Sequence, residues 1–325
     1  MMSGAQAVEP IYAFDVHKDG RVEKLTSLQV VEPHNPDIAY RWVHLDLAHG
    51  GTREWIRHHV DDVVARSLTL EDTRPRSARH DDGILLNLRG VNLNPESNPE
   101  DMVSIRMWVE KNLVVSVRLR RLMAVVGIRE AVESGNPPRT VGCFITDLAA
   151  ALTERMDPVI GGLSDKVDEM EEMSLVEPEG LRTSLAKLRR TTIMLRRHIG
   201  PQREALSKLT SDGLSILDEA QQITLRETLD RITRMVEELD AVRERSAILY
   251  DQLSDQRGEE MNRNMLVLSV VAAIFLPLGF LTGLLGVNIG GIPGADNPFA
   301  FAAFCVLLAV ISLGLMLWFR KKNWI

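Results

Sequence analysis

Apolar residues follow three different patterns along this chain. From residue 10 to about 145 they form short runs, alternating or continuous, broken by Gly, Asp and Asn. A period of two predicts strands. Ile11–Val16 and Arg21–Leu25, joined by Lys18-Asp19-Gly20, predict a hairpin with a glycine turn. Tyr40–Leu47, Gly83–Leu93, Ser104–Glu110 and Asn112–Arg118 predict further strands, and Thr52–Val64 and Arg120–Glu133 predict helices. This is an α/β unit whose strand order the pattern does not fix.

From about Val141 the apolar spacing becomes helical. Cys143–Val176 predicts one helix, broken at Pro178-Glu179-Gly180. Leu181–Ile199 predicts a second, basic helix that stops at Gly200-Pro201. The two form an antiparallel hairpin. After Ser211-Asp212-Gly213, the residues Leu225, Leu229, Ile232, Val236, Leu239, Val242, Leu249 and Leu253 recur at steps of three and four or their sums. No proline falls between Asp218 and Leu276, so one helix is expected to run on into the apolar region that follows. A helix of that length cannot be buried in one domain, and its near-heptad stripe suggests packing on copies of itself.

The third pattern is continuous. Met265–Leu285 and Phe299–Phe319 are runs of 21 residues without a charged side chain. Each is long enough to cross a hydrocarbon core of about 30 Å as a helix. Between them lies the 13-residue stretch Gly286–Pro298, GVNIGGIPGADNP. The expected organisation is an α/β domain at 1–145, a helical hairpin at 146–213 and a stalk helix at 214–264. A first span follows at 265–285, a loop at 286–298, a second span at 299–319 and a basic tail at 320–325.

Charge adds orientation. Arg263 precedes the first span, Arg320, Lys321 and Lys322 follow the second, and the loop carries only Asp296. The positive-inside rule places both termini in the cytoplasm and the loop outside. The first residues lack a basic region followed by an apolar run, so no signal peptide is expected. Cys143 and Cys305 lie in different parts of the chain, which excludes a disulfide framework and fits a reducing compartment. The net charge of −7, without a long basic tract, argues against nucleic acid. No Walker loop, aspartyl-phosphate motif or hydrolytic triad points to an enzyme.

Gly286-Val287-Asn288 is a weak motif alone, but here it directly follows one apolar run and precedes another, and the chain closes on a basic-aromatic tail. This arrangement resembles the CorA superfamily of divalent-cation transporters. The loop GVNIGGIPG resembles the ZntB zinc-transporter branch rather than the GMN-bearing magnesium branch. The segment EDTRPR…DDGILLNLRGVN, Glu71–Asn92, also resembles the ZntB cytoplasmic domain. The resemblance covers nearly the whole chain. It implies an α+β membrane protein of the bacterial inner membrane, assembled as a funnel-shaped homopentamer. Stalk helices lead to a pore lined by the first span and ringed by the second.

Asn262, Met265, Leu268, Ala272, Leu276 and Gly279 step by three or four and form one stripe on the first span. They match the family's pore-facing positions. Between the amides of Asn262 and Asn288 the stripe is apolar and can gate by narrowing and dewetting. Gly286, Val287 and Asn288 would form the selectivity filter, with helix-end carbonyls and amides converging on a hydrated cation. Asp296, Asp255 and Glu259 would attract cations at the mouths. The stripe holds no Cys or His, so zinc would pass hydrated, with weak discrimination from Co²⁺, Ni²⁺, Cd²⁺ or Mg²⁺. No resident cofactor is expected; the metal is cargo. The drive would be membrane potential or a proton gradient, with uptake the favoured direction. The alternatives are a Mg²⁺/Co²⁺ channel of the same superfamily and a membrane-anchored sensor or scaffold. The acidic group Asp168, Glu169, Glu171 and Glu172 reads as a solvated helix face, and adjacent His58 and His59 as surface residues.

Overall fold

The computed structural model describes residues 10–26, 31–33, 35–176, 180–211, 216–286 and 297–322. Contacts divide the chain into two units, Met1–Leu249 and Tyr250–Ile325.

The first unit is built on a seven-stranded mixed sheet. Its strands are β1 Tyr12–His17, β2 Val22–Leu25, β3 Ile38–Asp46, β4 Arg76–His80, β5 Gly83–Gly90, β6 Val103–Glu110 and β7 Leu113–Arg118. They lie in the order β2-β1-β3-β7-β6-β5-β4. Every neighbouring pair is antiparallel except β3 with β7, which run parallel with Val43 opposite Val115. Between β3 and β7 come helices α1 Thr52–His59 and α2 Asp62–Thr69 and strands β4, β5 and β6. α1 and α2 contribute Trp55, Ile56, Val64 and Leu68 to a core shared with Val43, Leu45, Leu85, Trp108, Val115 and Val117.

The expected single helix at 52–64 is therefore two. Val60 leaves the first in an extended conformation, and the Asp61 carboxylate accepts from the Val63 amide at 2.7 Å to cap the second. β4, Arg-Ser-Ala-Arg-His, has no apolar alternation; pairing with β5 makes it a strand.

Aromatic residues pack around Trp42, whose ring meets Phe144 edge-on at 4.9 Å between centroids. Its indole N–H donates to Ser116 Oγ at 2.8 Å, and His44 Nδ1 reaches the same hydroxyl at 2.8 Å. Phe144 belongs to α4, Val141–Val176, which follows α3, Met123–Glu133. α5 spans Leu181–Ser211 and does not stop at Gly200-Pro201. A proline inside a helix costs about 3 kcal/mol. Burial on both sides offsets that cost: Ile199, Gly200, Gln202, Ala205 and Leu206 are all buried, and Gln202 Oε1 accepts from the Arg89 backbone at 2.7 Å.

α6 is one helix of 67 residues, Glu219–Leu285. Within the first unit its near-heptad stripe is already buried. Leu225, Ile232, Val236, Leu239, Val242 and Leu249 are at most 2% exposed in the single chain. The expectation that this stripe packs on copies of itself is corrected. Arginine ion pairs flank it: Arg231 with Asp157, and Arg245 with Asp168 and Glu171, join α6 to α4, while Arg196 with Asp240 joins it to α5.

In the second unit, the end of α6 and helix α7, Ala300–Lys321, are both long and apolar enough to cross a membrane. α6 continues unbroken through Pro277.

Candidate functional site

Burial assigns faces to the two apolar helices. On α6, Leu266, Val270, Ile274, Leu278 and Leu281 are covered or partly covered; on α7, Phe304, Leu308, Ile311, Leu315 and Phe319 are. Steps of four and three make each set a single stripe along its own helix.

The predicted pore stripe lies on the other side of α6. Asn262, Met265, Leu268, Ala272, Leu276 and Gly279 are all exposed. Leu268 and Leu276 are 70% and 72% exposed, against 4% for Val270. At about 100° per residue, the centre of this stripe is roughly 170° from the centre of the covered one. A Cβ placed on Gly279 or Gly283 would meet nothing within 4 Å, so this face is open in the single chain. Gly286 ends the helix, its amide bonded to the Thr282 carbonyl at 2.9 Å. Val287, Asn288 and Asp296 lie outside the described residues.

Asp255 and Glu259 are exposed and belong to a longer series than the sequence reading recognised. Glu227, Asp230, Glu237, Glu244, Asp251, Asp255 and Glu259 follow one another at steps of three, four or seven, all exposed. Arg234 is the base within the series. The signal was available as a heptad of carboxylates half a turn from the apolar heptad; attention to the apolar positions hid it. In the acidic group on α4, Asp168 and Glu171 share Arg245, while Glu169 and Glu172 are exposed.

Other candidates are structural. His58 and His59 each bond a helix carbonyl through Nδ1, and His59 stacks on Trp55 at 4.4 Å. Cys305 is exposed on α7, and Cys143 accepts from Gln221 Nε2 at 3.3 Å. Among the described residues, no group of three or more His, Cys, Asp or Glu side chains is arranged to hold a metal ion.

The family model described as "CorA-like Mg2+ transporter protein" matches residues 37–321. A relative named "Zinc transport protein ZntB" from Yersinia enterocolitica (serotype O:8 / biotype 1B) is 33% identical over 322 residues, covering 98% of this chain and 97% of its own. Among solved structures, "structure of the full-length CmaX protein" aligns with a TM-score of 0.82 and 36% identity, covering 99% of this chain and 100% of that one. The "Crystal structure of ZntB cytoplasmic domain from Vibrio parahaemolyticus RIMD 2210633" aligns with a TM-score of 0.68 and 22% identity, covering 77% of this chain and 99% of that one; it bears on fold alone.

Proposed function

The chain belongs to the CorA-like family of metal-ion transporters, and on that premise we propose that it moves Zn²⁺ and related divalent cations across the bacterial inner membrane. The observation that carries this reading is the open apolar face of α6, turned away from the less exposed stripe on the same helix. A tether needs only two spans. A conduit built from copies needs one face of the first span left free to line it, with the second span outside.

In this reading five copies assemble with Asn262, Met265, Leu268, Ala272, Leu276 and Gly279 toward the axis. Asn262 forms an amide ring at the cytoplasmic end, and Gly286, Val287 and Asn288 form the filter at the outer end. Asp296 draws cations on the outside, and Asp255 and Glu259 on the inside. The apolar middle closes by narrowing and dewetting. Both termini and the α/β unit are cytoplasmic in this reading, which the positive-inside rule supports through Arg263, Arg320, Lys321 and Lys322. The stripe supplies no thiolate or imidazole, so the ion travels with water and selectivity is modest. Inward movement of a divalent ion down 100 mV releases about 4.6 kcal/mol, twice the single-charge value.

Zn²⁺ flux into proteoliposomes containing the purified protein, with potential and proton gradient varied, tests this directly. We expect flux that Co²⁺ or Ni²⁺ suppresses at comparable concentration, and five copies by native mass spectrometry. Absence of Zn²⁺ flux, or a monomer that still transports, overturns the proposal. Mg²⁺ belongs in the same competition series, because the matching family description names it.

A further inference from the structure

A cleft of about 440 Å³ in the first unit is lined by Arg89 and Ser104 of the sheet, Arg120 after β7 and His198 of α5, with Glu71 and Asp101 also on its walls. That volume suits a small organic ligand.

The charges around it are unbalanced. Ser104 and Arg89 stand opposite one another on β6 and β5, and the next pair on the same face is Arg106 and Asn87. Arg106 is fully buried at 0% exposure and forms no ion pair among the described residues. Its Nη2 donates to the Glu71 carbonyl at 3.0 Å. Its Nε and Nη1, both amide atoms of Asn87 and the Thr73 hydroxyl have no partner among the described residues. A buried guanidinium is costly unless an anion and hydrogen bonds compensate it.

Glu71 on the cleft wall pairs with Arg53 at 3.2 Å and Asp72 pairs with the cleft's own Arg89 at 3.3 Å, which leaves Asp101 to oppose Arg120 and the buried Arg106. Burial, then Arg89 and Arg197, push the His198 imidazole down to about 4; Arg74 pushes the same way and Asp72 against it. Near neutral pH the ring is uncharged, and its buried Nδ1 has no partner among the described residues.

We propose that this cleft binds a small phosphorylated molecule, its phosphate oxygens taking hydrogen bonds from Arg89, Arg120, Ser104 and His198, with Arg106 as the buried positive charge behind them. Four of the five Arg89 N–H groups are already directed to Thr73, Met102 and Asp72, which fixes the guanidinium in place before any ligand arrives. One Nη1 N–H of Arg89 remains for a ligand, and the exposed Arg120 can offer a two-pronged, charge-assisted contact that suits phosphate better than a halide. The inference does not depend on what the apolar helices do.

Pyrophosphate is the probe, titrated calorimetrically into the full chain in detergent and metal-free buffer at constant ionic strength. We expect saturable binding of one pyrophosphate per chain. Arg120→Glu and Ser104→Glu should each weaken it at least tenfold. Arg120 is exposed, so the first variant should melt at the wild-type temperature and its loss of binding cannot be ascribed to misfolding. Three results each overturn the proposal: no saturation on the order of 10 mM, equal binding by a normally melting Arg120→Glu protein, or displacement of pyrophosphate by equimolar chloride.

Discussion

Arg245 of α6 holds Glu171 of α4 through two parallel hydrogen bonds, Nε to Oε1 at 2.9 Å and Nη2 to Oε2 at 2.6 Å. The same guanidinium also reaches Asp168. One arginine therefore contacts two of the four carboxylates Asp168, Glu169, Glu171 and Glu172, offsets one of their charges, and fixes α6 against α4. The side chains are 34%, 43% and 58% exposed, so solvent screens the attraction. Arg245→Ala should lower stability by about 1 kcal/mol or less, read as a small fall in the melting temperature of the full chain. Zn²⁺ flux per assembled complex should not change, because this acidic group is not assigned to the ion path.

Opposite faces of α6 should respond differently to the same change. Leu276→Asp places a carboxylate on the open face, which in the proposed assembly lines the conduit and closes it by dewetting. It should leave assembly intact and raise resting leak of monovalent cations into proteoliposomes. Val270→Asp places the same group on the covered stripe, where it is buried without a partner. That variant should assemble poorly or fail to accumulate. Equal behaviour of the two would remove the distinction between faces.

Asn288→Ala tests the filter. If five amides converge at the outer mouth, Zn²⁺ uptake at low metal should fall sharply, with mass and melting temperature close to wild type. If the residue only finishes a helix, flux should persist and stability should drop by a fraction of 1 kcal/mol, less than the ~1 kcal/mol typical of an N-cap. Measuring flux and assembly on the same preparation separates these outcomes.

Acid should weaken the first unit through His44. The ring is 1% exposed, stacks on Tyr12 at 4.8 Å and bonds Ser116. Burial, with Arg118 adding to it, pushes its pKa down to about 3. The folded value is below the unfolded value of about 6.5, so the neutral ring's contribution is whole above that pH. It declines as pH falls from about 6.5 toward 3, because the unfolded chain binds the proton first. His44→Asn should reduce stability at pH 7.5 and flatten its fall between pH 6.5 and 4.5, followed by melting temperature across that range. An unchanged slope in the variant would exclude His44 as a source of acid sensitivity.

Much of the architecture was legible where one residue property decided it. Gly83–Gly90 and Leu113–Arg118 announce themselves by continuous Leu, Ile and Val, because strands buried on both faces leave little room for polar residues. The apolar helices declare themselves by the absence of charge. Failures occurred where distant contacts decided. Gly200-Pro201 is a strong local stop, overridden because Gln202 and Leu206 have buried places to fill. β4 is a strand only because β5 lies beside it.

The α6 heptad was misassigned for a related reason. Leu225 to Leu249 at near-heptad spacing says that one face must be buried, but not whether its partners come from the same chain. Here α4 and α5 lie in the same unit, and the face is buried without another copy. The spacing of Asn262, Met265, Leu268, Ala272, Leu276 and Gly279 puts them on one face of α6, where all six are exposed, but spacing does not say what that face does. The cleft at Arg89 and His198 could not be read at all, since those two residues are more than 100 positions apart and its members carry no motif.

The parallel pairing of β3 with β7 also bears on the order of events during synthesis. The sheet cannot close until Leu113–Arg118 has been made, yet it can close as soon as those residues are free. Met265 and the apolar run it starts are synthesised roughly 150 residues later, on the order of 10 s at about 5–20 residues per second. Mixed α/β domains generally fold faster than that. The sheet therefore forms in water, before the apolar run has been made. An inherited defect at Trp42 or Ser116 would meet chaperones and proteases before any membrane was engaged, and would present as a shortage of protein rather than as a faulty pore.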